Sequence, residues 1–578
     1  MKRNATALGA LPEVASDRAA CHAGGARRVK AGLLVSLLAA LLVLPPVGQR
    51  LIATGGINGD DEARYALMAR DMLQRGAWFD LQVRGERTWE KPPLLPWLIA
   101  GFARLGGRVT EATAQAPIAL ATIVVILFTF LLGDRLFTPR AGLWAALMLL
   151  TSWDFFGHSQ QVLPDMLVVA FMTIAGWAFW RAETEPLNHR ALVVFYVAVA
   201  WAVFAKGPLG LLPLLSAAVW LATEHGVRGA ARRLWSPVGM GLFGLITVAW
   251  LGPFLSLGAR DFVAHTIWGD WLTWYFGRPS PGDLLYAATV GFLPWVVLAP
   301  LVLPRAGRAW KVPAVRFALL WFAVPLVVLA LSANQKLRYA LSIYPGAALL
   351  VAWWADTHGG ARTAGGRAVG WCALGGALVT SLALRTPAWW HRTMRLYLTD
   401  LSWGTVLPII VGLGLMGVTL CWSLHAGRPA VLVYGVVAGM VGILGYGIWP
   451  YDHRYNDVWN FKGLVAHADV DAAGAEMAVF LPRPAWLSID FYRARSPRSI
   501  WTVAELRQYL AGQDHPVCVL DLDTWRVLQR ELPATVKVLE ALQIGSTTLV
   551  IIRDGGGVPT PAAVSLPATP GRLTDGGI

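Results

Sequence analysis

The densest run of charge in this strongly apolar chain lies between Gly59 and Pro93, GDDEARYALMARDMLQRGAWFDLQVRGERTWEKPP. On a helix, Asp61, Arg64 and Tyr65 stand three and four residues apart and share a face, so a carboxylate, a guanidinium and a phenol can meet one ligand. Such a set suits an anionic, hydroxyl-bearing molecule. The same residues also read as a helix N-terminus with an exposed ion pair, which is worth little, and periodicity does not choose between the two. Downstream, Glu90 and Lys91 set an acid beside a base just before Pro92-Pro93. The fixed φ of proline makes that corner stiff and would aim both side chains.

The element that must carry Asp61 is a helix opened by Asp60, Asp61 and Glu62, acids that suit the positive end of the helix dipole. Tyr65, Met68 and Met72 fall on its apolar face, and Gly76 is placed to end it. Around this stretch the composition is that of a membrane protein. Of 578 residues, 56% are hydrophobic and 15% charged, with 29 tryptophans and a mean hydropathy of +0.51. A soluble fold has too little interior for such a chain, which reads as mostly α and polytopic. The net charge of +14 gathers largely in short loops, where it sets membrane orientation rather than nucleic-acid binding. Cys21, Cys372, Cys421 and Cys518 are scattered without ligand spacing and suggest neither a disulfide framework nor a cysteine metal site.

Apolar runs of membrane-spanning length number about 13. They begin with a retained anchor at Ala31 to Val47 and continue through Gln115 to Gly133, Ala141 to Gly157, Val162 to Trp180, Ala191 to Ala205, Pro208 to Ala222 and Pro237 to Leu257. The later ones are Leu284 to Leu303, Ala314 to Leu331, Tyr339 to Trp354, Ala368 to Leu384, Val406 to Trp422 and Ala430 to Trp449. Leu94 to Leu105 is too short to be assigned on length. With Arg27, Arg28 and Lys30 in the cytoplasm, the basic clusters Arg232/Arg233, Arg305/Arg308/Lys311 and Arg362/Arg367 fall inside only if Leu94 to Leu105 does not cross. The Asp61 loop, Asp165, Lys206, the loop from Arg260 to Asp283 and the segment from Gln335 to Tyr339 then share the outer face with the C-terminal region. There, Met477 to Leu481, Pro516 to Leu520 and Thr548 to Ile552 read as strands, Val503 to Leu510 and Thr524 to Leu532 as helices. The expected organisation is a tail over 1–30, a transmembrane body over 31–449 with an outer loop over 49–114, an outer α/β domain over 450–555 and a disordered tail over 556–578.

Asp61-Glu62-Ala63-Arg64-Tyr65, followed some 30 residues later by Glu90-Lys91-Pro92-Pro93, resembles the first outer loop of the bacterial aminoarabinose (lipid A) transferases and the related protein O-mannosyltransferase-like enzymes. Leu163-Pro164-Asp165, Ala205-Lys206-Gly207-Pro208, Lys336-Leu337-Arg338-Tyr339 and Tyr344-Pro345 agree with them in order. These are GT-C glycosyltransferases that use polyprenyl-phosphate sugars. The resemblance implies that Asp61 is the catalytic carboxylate, accepting the acceptor's proton or steadying charge at the sugar, that Asp165 is a second acid of the cavity, and that Arg64, Lys91, Lys206, Lys336 and Arg338 hold the donor phosphate or sugar. It also implies that Tyr65, Glu90, Tyr339 and Tyr344 contact phosphate or sugar. Taken by itself, Lys206 also reads as a lysine reaching to an interface, and Lys336 and Arg338 as a loop flank. The family's metal is held by the acid of the Glu-Lys-Pro-Pro motif, here Glu90, and by a histidine of a later loop. Pairing that loop with Ile267-Trp268-Gly269-Asp270-Trp271 puts Asp270 at the acid and Trp271 at the histidine. His265 lies off register and reads as a plain loop histidine, so the resemblance leaves the divalent metal and the sugar open.

The resulting expectation is transfer of a sugar such as 4-amino-4-deoxy-L-arabinose from undecaprenyl phosphate to a lipid A-like or other envelope acceptor, at the outer face of a bacterial inner membrane, by single displacement with inversion. A hexosyl- or mannosyltransferase acting on protein or polysaccharide is the alternative in the same class. A lipid or solute transporter is the rival from another class, and a non-catalytic lipid-binding scaffold a third. Transporters carry internal repeats and mid-membrane charges, whereas here the acids sit in loops and no repeat is visible.

Overall fold

The computed structural model describes residues 56–88, 92–185, 188–261, 263–264, 267–269, 281–332, 337–383, 403–447, 459–472, 477–480, 487–493, 497–512, 516–545 and 547–555. The expected anchor at Ala31 to Val47 and both tails lie outside them, as do Glu90, Lys91, His265, Asp270, Trp271 and Lys336.

The charged stretch folds as its periodicity requires. Asp60–Arg75 is helical, with Tyr65, Met68 and Met72 buried, and Gly76 ends it at φ 70°, donating its N–H to the Met72 carbonyl. Two short strands follow, β1 (Gln82–Val83) and β2 (Glu86–Arg87), joined by Arg84 and Gly85 at φ 57° and 80°. Two consecutive positive φ values are what a tight two-residue hairpin turn demands.

Six helices among the described residues are long and apolar enough to cross a membrane: Glu111–Leu136, Asp165–Thr184, His189–Leu234, Pro237–Gly258, Pro313–Ala330 and Val406–Ala426. His189–Leu234 takes in two expected spans, Ala191 to Ala205 and Pro208 to Ala222, and shorter apolar helices stand beside these six, so the count of about 13 is not confirmed among the described residues. Several expected spans are broken pieces. Ala141 to Gly157 divides into Pro139–Leu150 and a short helix Trp153–His158, and Leu284 to Leu303 into Pro281–Thr289, a 3₁₀ turn Trp295–Leu298 and Ala299–Arg308. Helix Leu94–Gly106, with 13 residues, reaches only about 20 Å, less than a hydrocarbon core.

The helices alternate between two ends of a bundle. Asp165–Thr184 starts at one end, and about 30 Å further on it finishes beside the start of His189–Lys206, which returns. Gly207 (φ 70°, ψ −140°) stops that helix directly after Lys206, and the 3₁₀ turn Gly207–Leu211 folds back onto it. Helices Glu111–Leu136 and Pro139–Leu150 meet where a Cβ on Gly133 would stand 2.7 Å from the Gly142 Cα, so only glycines allow the approach. Phe179, Trp180, Trp220, Phe317 and Trp321 interlock at ring separations of 5.1–6.3 Å and join three further helices.

The C-terminal segment forms a mixed sheet of five strands in the order β4-β3-β5-β7-β6. These are β3 (Met477–Phe480), β4 (Arg498–Ile500), β5 (Val517–Asp521), β6 (Val536–Ile544) and β7 (Thr547–Asp554). The parallel pairs β3/β4 and β3/β5 cross over through Leu487–Tyr492 and Val503–Leu510, and β5/β7/β6 are antiparallel. Strands β4 and β6 escaped the sequence reading. β6, VKVLEALQI, is built largely from helix formers and is half-exposed, so it carries little strand patterning.

Candidate active site

The first turn of the Asp60 helix has Gly59 as its N-cap, with no side-chain cap bond, so its three acids are used elsewhere. Each reaches a different part of the chain. The Asp60 Oδ1 accepts the Leu487 N–H at 2.8 Å, the Asp61 Oδ2 accepts from Arg338 at 3.1 Å, and the Glu62 Oε1 accepts the Val162 N–H at 2.8 Å. The bond to Val162 fixes the helix against the approach to Asp165, and the bond to Arg338 fixes it against the 3₁₀ turn Leu337–Ser342. The reading of Asp61 as part of a plain exposed pair gives way to a contact across 277 residues.

From Asp61 the charges alternate. The Arg338 Nε lies 3.7 Å from the Asp165 Oδ2, and the other Asp165 oxygen pairs with Lys206. Lys206 Nζ also stands 4.2 Å above the Tyr339 ring, a cation–π contact. Lys206 thus turns inward to an acid rather than reaching away from the bundle. Exposure falls from Asp61 to Asp165: the Asp61 side chain is 41% exposed, Arg338 22% and Asp165 4%, with Lys206 beyond it at 12%. Burial works against the charge on Arg338, but Asp165 and Asp61 outweigh it and raise its pKa. Two buried atoms of the row, the Asp165 Oδ2 and the Arg338 Nε, have no hydrogen-bond partner among the described residues. Buried polar atoms are seldom left so, and here both lie beside a partly exposed carboxylate where a ligand or water would complete them.

Tyr65 is buried beneath this row, and burial, then Asp165 and Asp61, push its phenol above the usual value, so it stays neutral at physiological pH. Arg64 is half-buried on the same helix. Tyr344, expected at the phosphate or sugar, is engaged within the chain. Its hydroxyl is 2.8 Å from the Ala287 carbonyl and 3.1 Å from the Asp154 Oδ2, so its single proton is shared by these acceptors, and its ring stacks on Phe292. Asp154 in turn pairs with His158 at 3.2 Å. Burial opposes charge on His158, but Asp154, and Asp165 more weakly, raise its pKa.

Asp154 and His158 were missed in the sequence. A carboxylate inside an apolar run such as Ala141 to Gly157 was the available signal. Among the described residues no three His, Cys, Asp or Glu side chains come together as a metal set, and Glu90, His265, Asp270 and Trp271 lie outside these residues. Of the expected site, the structure brings together Asp61, Asp165, Lys206, Arg338 and Tyr339, with Tyr65 beneath.

The sequence model for dolichyl-phosphate-mannose-protein mannosyltransferase matches residues 90–252. An undecaprenyl phosphate-alpha-4-amino-4-deoxy-L-arabinose arabinosyl transferase of Pectobacterium atrosepticum is 27% identical over 57% of this chain and 59% of its own length. A second, from Pectobacterium carotovorum, is 25% identical over 72% of this chain and 70% of its own. The chain thus spans about three fifths to seven tenths of these curated relatives. In backbone it is similar to the crystal structure of ArnT from Cupriavidus metallidurans bound to undecaprenyl phosphate, with a TM-score of 0.72 and 20% identity, covering 90% of this chain and 97% of that one. In sequence over more than half its length, and in fold over nine tenths of it, the chain resembles the GT-C glycosyltransferases of the arabinosyl transferase and protein mannosyltransferase kind.

Proposed function

We propose that the protein is a multi-pass membrane glycosyltransferase that moves a sugar, 4-amino-4-deoxy-L-arabinose in the reading best supported, from undecaprenyl phosphate to a lipid A-like acceptor. The observation that carries it is the row Asp61–Arg338–Asp165–Lys206, which exposes its carboxylate end and holds two buried polar atoms, an ion pair at 3.7 Å, with no hydrogen bond among the described residues. The names of the arabinosyl transferase relatives supply the donor and its sugar.

In the transfer, an acceptor oxygen attacks the anomeric carbon while the bond from that carbon to the phosphate oxygen breaks, and the lipid phosphate departs with the electron pair. Asp61, the exposed acid, takes the acceptor's proton or steadies positive charge at the sugar. Arg338 and Arg64 receive the negative charge that develops on the phosphate, with Lys91 and Lys336 assigned to the same task. Lys206, held against Asp165 and Tyr339, anchors the buried end of the row. Tyr65, neutral and buried, lies beside Asp165 and Asp61. Glu90 is retained as a contact to the donor, and no step is routed through a metal.

The site end is assigned to the periplasmic side of a bacterial inner membrane, with the C-terminal domain over 450–555 on the same side. Supporting this are the basic residues at the other end, Arg135, Arg140, Arg181, Arg233 and Arg316 among them, which suit a cytoplasmic face.

Purified protein in detergent, given radiolabelled undecaprenyl-phosphate aminoarabinose and lipid A, tests the proposal. Labelled lipid A is expected with wild type, and about 10²- to 10⁴-fold less with Asp61→Asn. Full transfer by a well-folded Asp61→Asn protein would refute the role of Asp61. The second reading, a mannosyl or hexosyl donor, is favoured by the mannosyltransferase match over residues 90–252. It gains if wild type transfers label only from hexose-bearing lipids.

A further inference from the structure

The Asp60 helix is held at both ends by one short helix more than 400 residues away. At the start of Leu487–Tyr492, the Leu487 N–H donates to the Asp60 Oδ1 at 2.8 Å. At its end, Arg70 donates to the carbonyls of Asp490, Phe491 and Arg493 at 2.8, 3.2 and 3.0 Å, covering acceptors that a helix C-terminus leaves open. The hydroxyl of Tyr492 accepts the N–H groups of Gly56 and Ile57, just before the helix, at 2.7 and 2.9 Å. A fourth tie comes from the hairpin. Arg84 donates through Nε (3.0 Å) and Nη2 (2.5 Å) to the two carboxylate oxygens of Asp490, whose side chain is fully buried. Arg84 does this from φ 57°, a conformation that non-glycine residues rarely adopt and that persists only when its surroundings enforce it.

These ties share a geometric consequence. Asp61 follows Asp60 directly, so the helix turn that carries the proposed catalytic carboxylate is held on one side by Glu62–Val162 and Asp61–Arg338 and on the other by contacts to a segment that belongs to the C-terminal sheet. A carboxylate that must meet an anomeric carbon tolerates little displacement, since misplacement by about 1 Å can cost about 10²-fold in rate.

We infer that Leu487–Tyr492, gripped by Asp60, Arg70 and Arg84, is a positioning element for Asp61, which makes the C-terminal domain part of the active site. This rests on the glycosyltransferase reading for its catalytic consequence. Its geometric content stands without it: releasing the grip frees the Asp60 helix. Asp60, Arg84 and Asp490 are accordingly positioning residues.

The test uses the full chain in detergent and two readouts. Hydrogen exchange of the Asp60–Arg75 amides reports the grip, and transfer from undecaprenyl-phosphate aminoarabinose to lipid A reports its effect. In Asp60→Ala and Arg84→Gln, exchange over Asp60–Arg75 should quicken at least about 10-fold while Glu111–Leu136 stays as in wild type. Turnover should drop about 10- to 100-fold, with donor KM within about twofold. Asp60→Asn, which keeps the accepting oxygen but not the charge, should restore both to near wild type. Unchanged exchange over Asp60–Arg75 in both Arg84→Gln and Asp60→Ala overturns the inference, and so does full turnover once exchange has quickened. Should Asp60→Ala not fold, Arg84→Gln decides alone. If wild type transfers label from no lipid-linked sugar, the functional reading fails, while the exchange still decides the grip.

Discussion

Both ends of the bundle bury carboxylates, but they treat them differently. At the end remote from the site, Asp356 is 5% exposed and both its oxygens are satisfied, one by Thr138 at 2.8 Å and the other by Arg140 at 2.5 Å. Nearby, Glu185 collects Arg135, Arg181 and Asn188, and Glu183 takes Arg233 at 2.8 Å. These pairs stitch one helix terminus to the next. At the site end, Asp165 is as deeply buried as Asp356, yet among the described residues only one of its oxygens is hydrogen-bonded, the other standing 3.7 Å from the Arg338 Nε. The far-end pairs named above close on one another, although the buried Arg316 Nε there likewise has no hydrogen-bond partner among the described residues; the site end differs in that its buried pair runs out to a part-exposed carboxylate, Asp61. Burial of a charge is costly whichever end it occupies, and at the site end the row opens to solvent.

That contrast breaks most sharply at Lys206. Lys206→Ala leaves Asp165 buried without its main counter-charge, which typically costs about 3–5 kcal/mol, and should lower the melting midpoint and abolish transfer. The double variant Lys206→Met with Asp165→Leu removes both charges and should recover much of the midpoint but not the transfer. Recovered transfer would make the pair structural, like those at the far end.

The pair of His158 and Asp154 yields a smaller, pH-dependent effect. His158 is flanked by Asp154 and, more weakly, Asp165, and its folded pKa is raised above the ordinary value of about 6.5. Its stabilising contribution is therefore fully present below pH ~6.5 and is lost as pH rises through the folded value. The difference in melting midpoint between wild type and His158→Gln should be widest near pH ~6 and close above it. A gap that widens with rising pH contradicts the assignment.

The smallest effect is expected at the far end. Glu185 is lowered to about 2, by Arg181 first and then by Asn188 and Arg135. Its contribution is present above pH ~4.3 and lost as pH falls through about 2. Because the group is about a third exposed, solvent screens it, and Arg135→Ala should change stability by only about 0–1 kcal/mol. Transfer should be unchanged. A large loss of transfer in Arg135→Ala would dissolve the distinction between the two ends.

Much of this was open to the sequence, unevenly. Asp61 and its helix were legible from spacing, as were the buried face of Tyr65, Met68 and Met72 and the stop at Gly76. The shared end of Asp61, Asp165, Lys206 and Arg338 followed from the charge of the loops. Tyr344 was assigned to the ligand because its motif resembles a family's, but its hydroxyl is engaged by Asp154, which the apolar run Ala141 to Gly157 concealed. Leu94–Gly106 and the broken Leu284 to Leu303 run were hard to place for a related reason. Hydropathy measures what a segment can be buried in, not where its helix stops.

Periodicity, hydropathy and loop charge are properties of neighbouring residues, and they were enough to determine the helix that carries Asp61 and the end of the bundle that it shares with Asp165, Lys206 and Arg338. Which acid meets which base was decided by the tertiary structure alone. Asp60, Asp61 and Glu62 are chemically alike and adjacent, yet they go to Leu487, Arg338 and Val162. Their directions differ by the 100° turn of the helix between successive residues, and only the packing of distant segments around that helix gives each direction its partner.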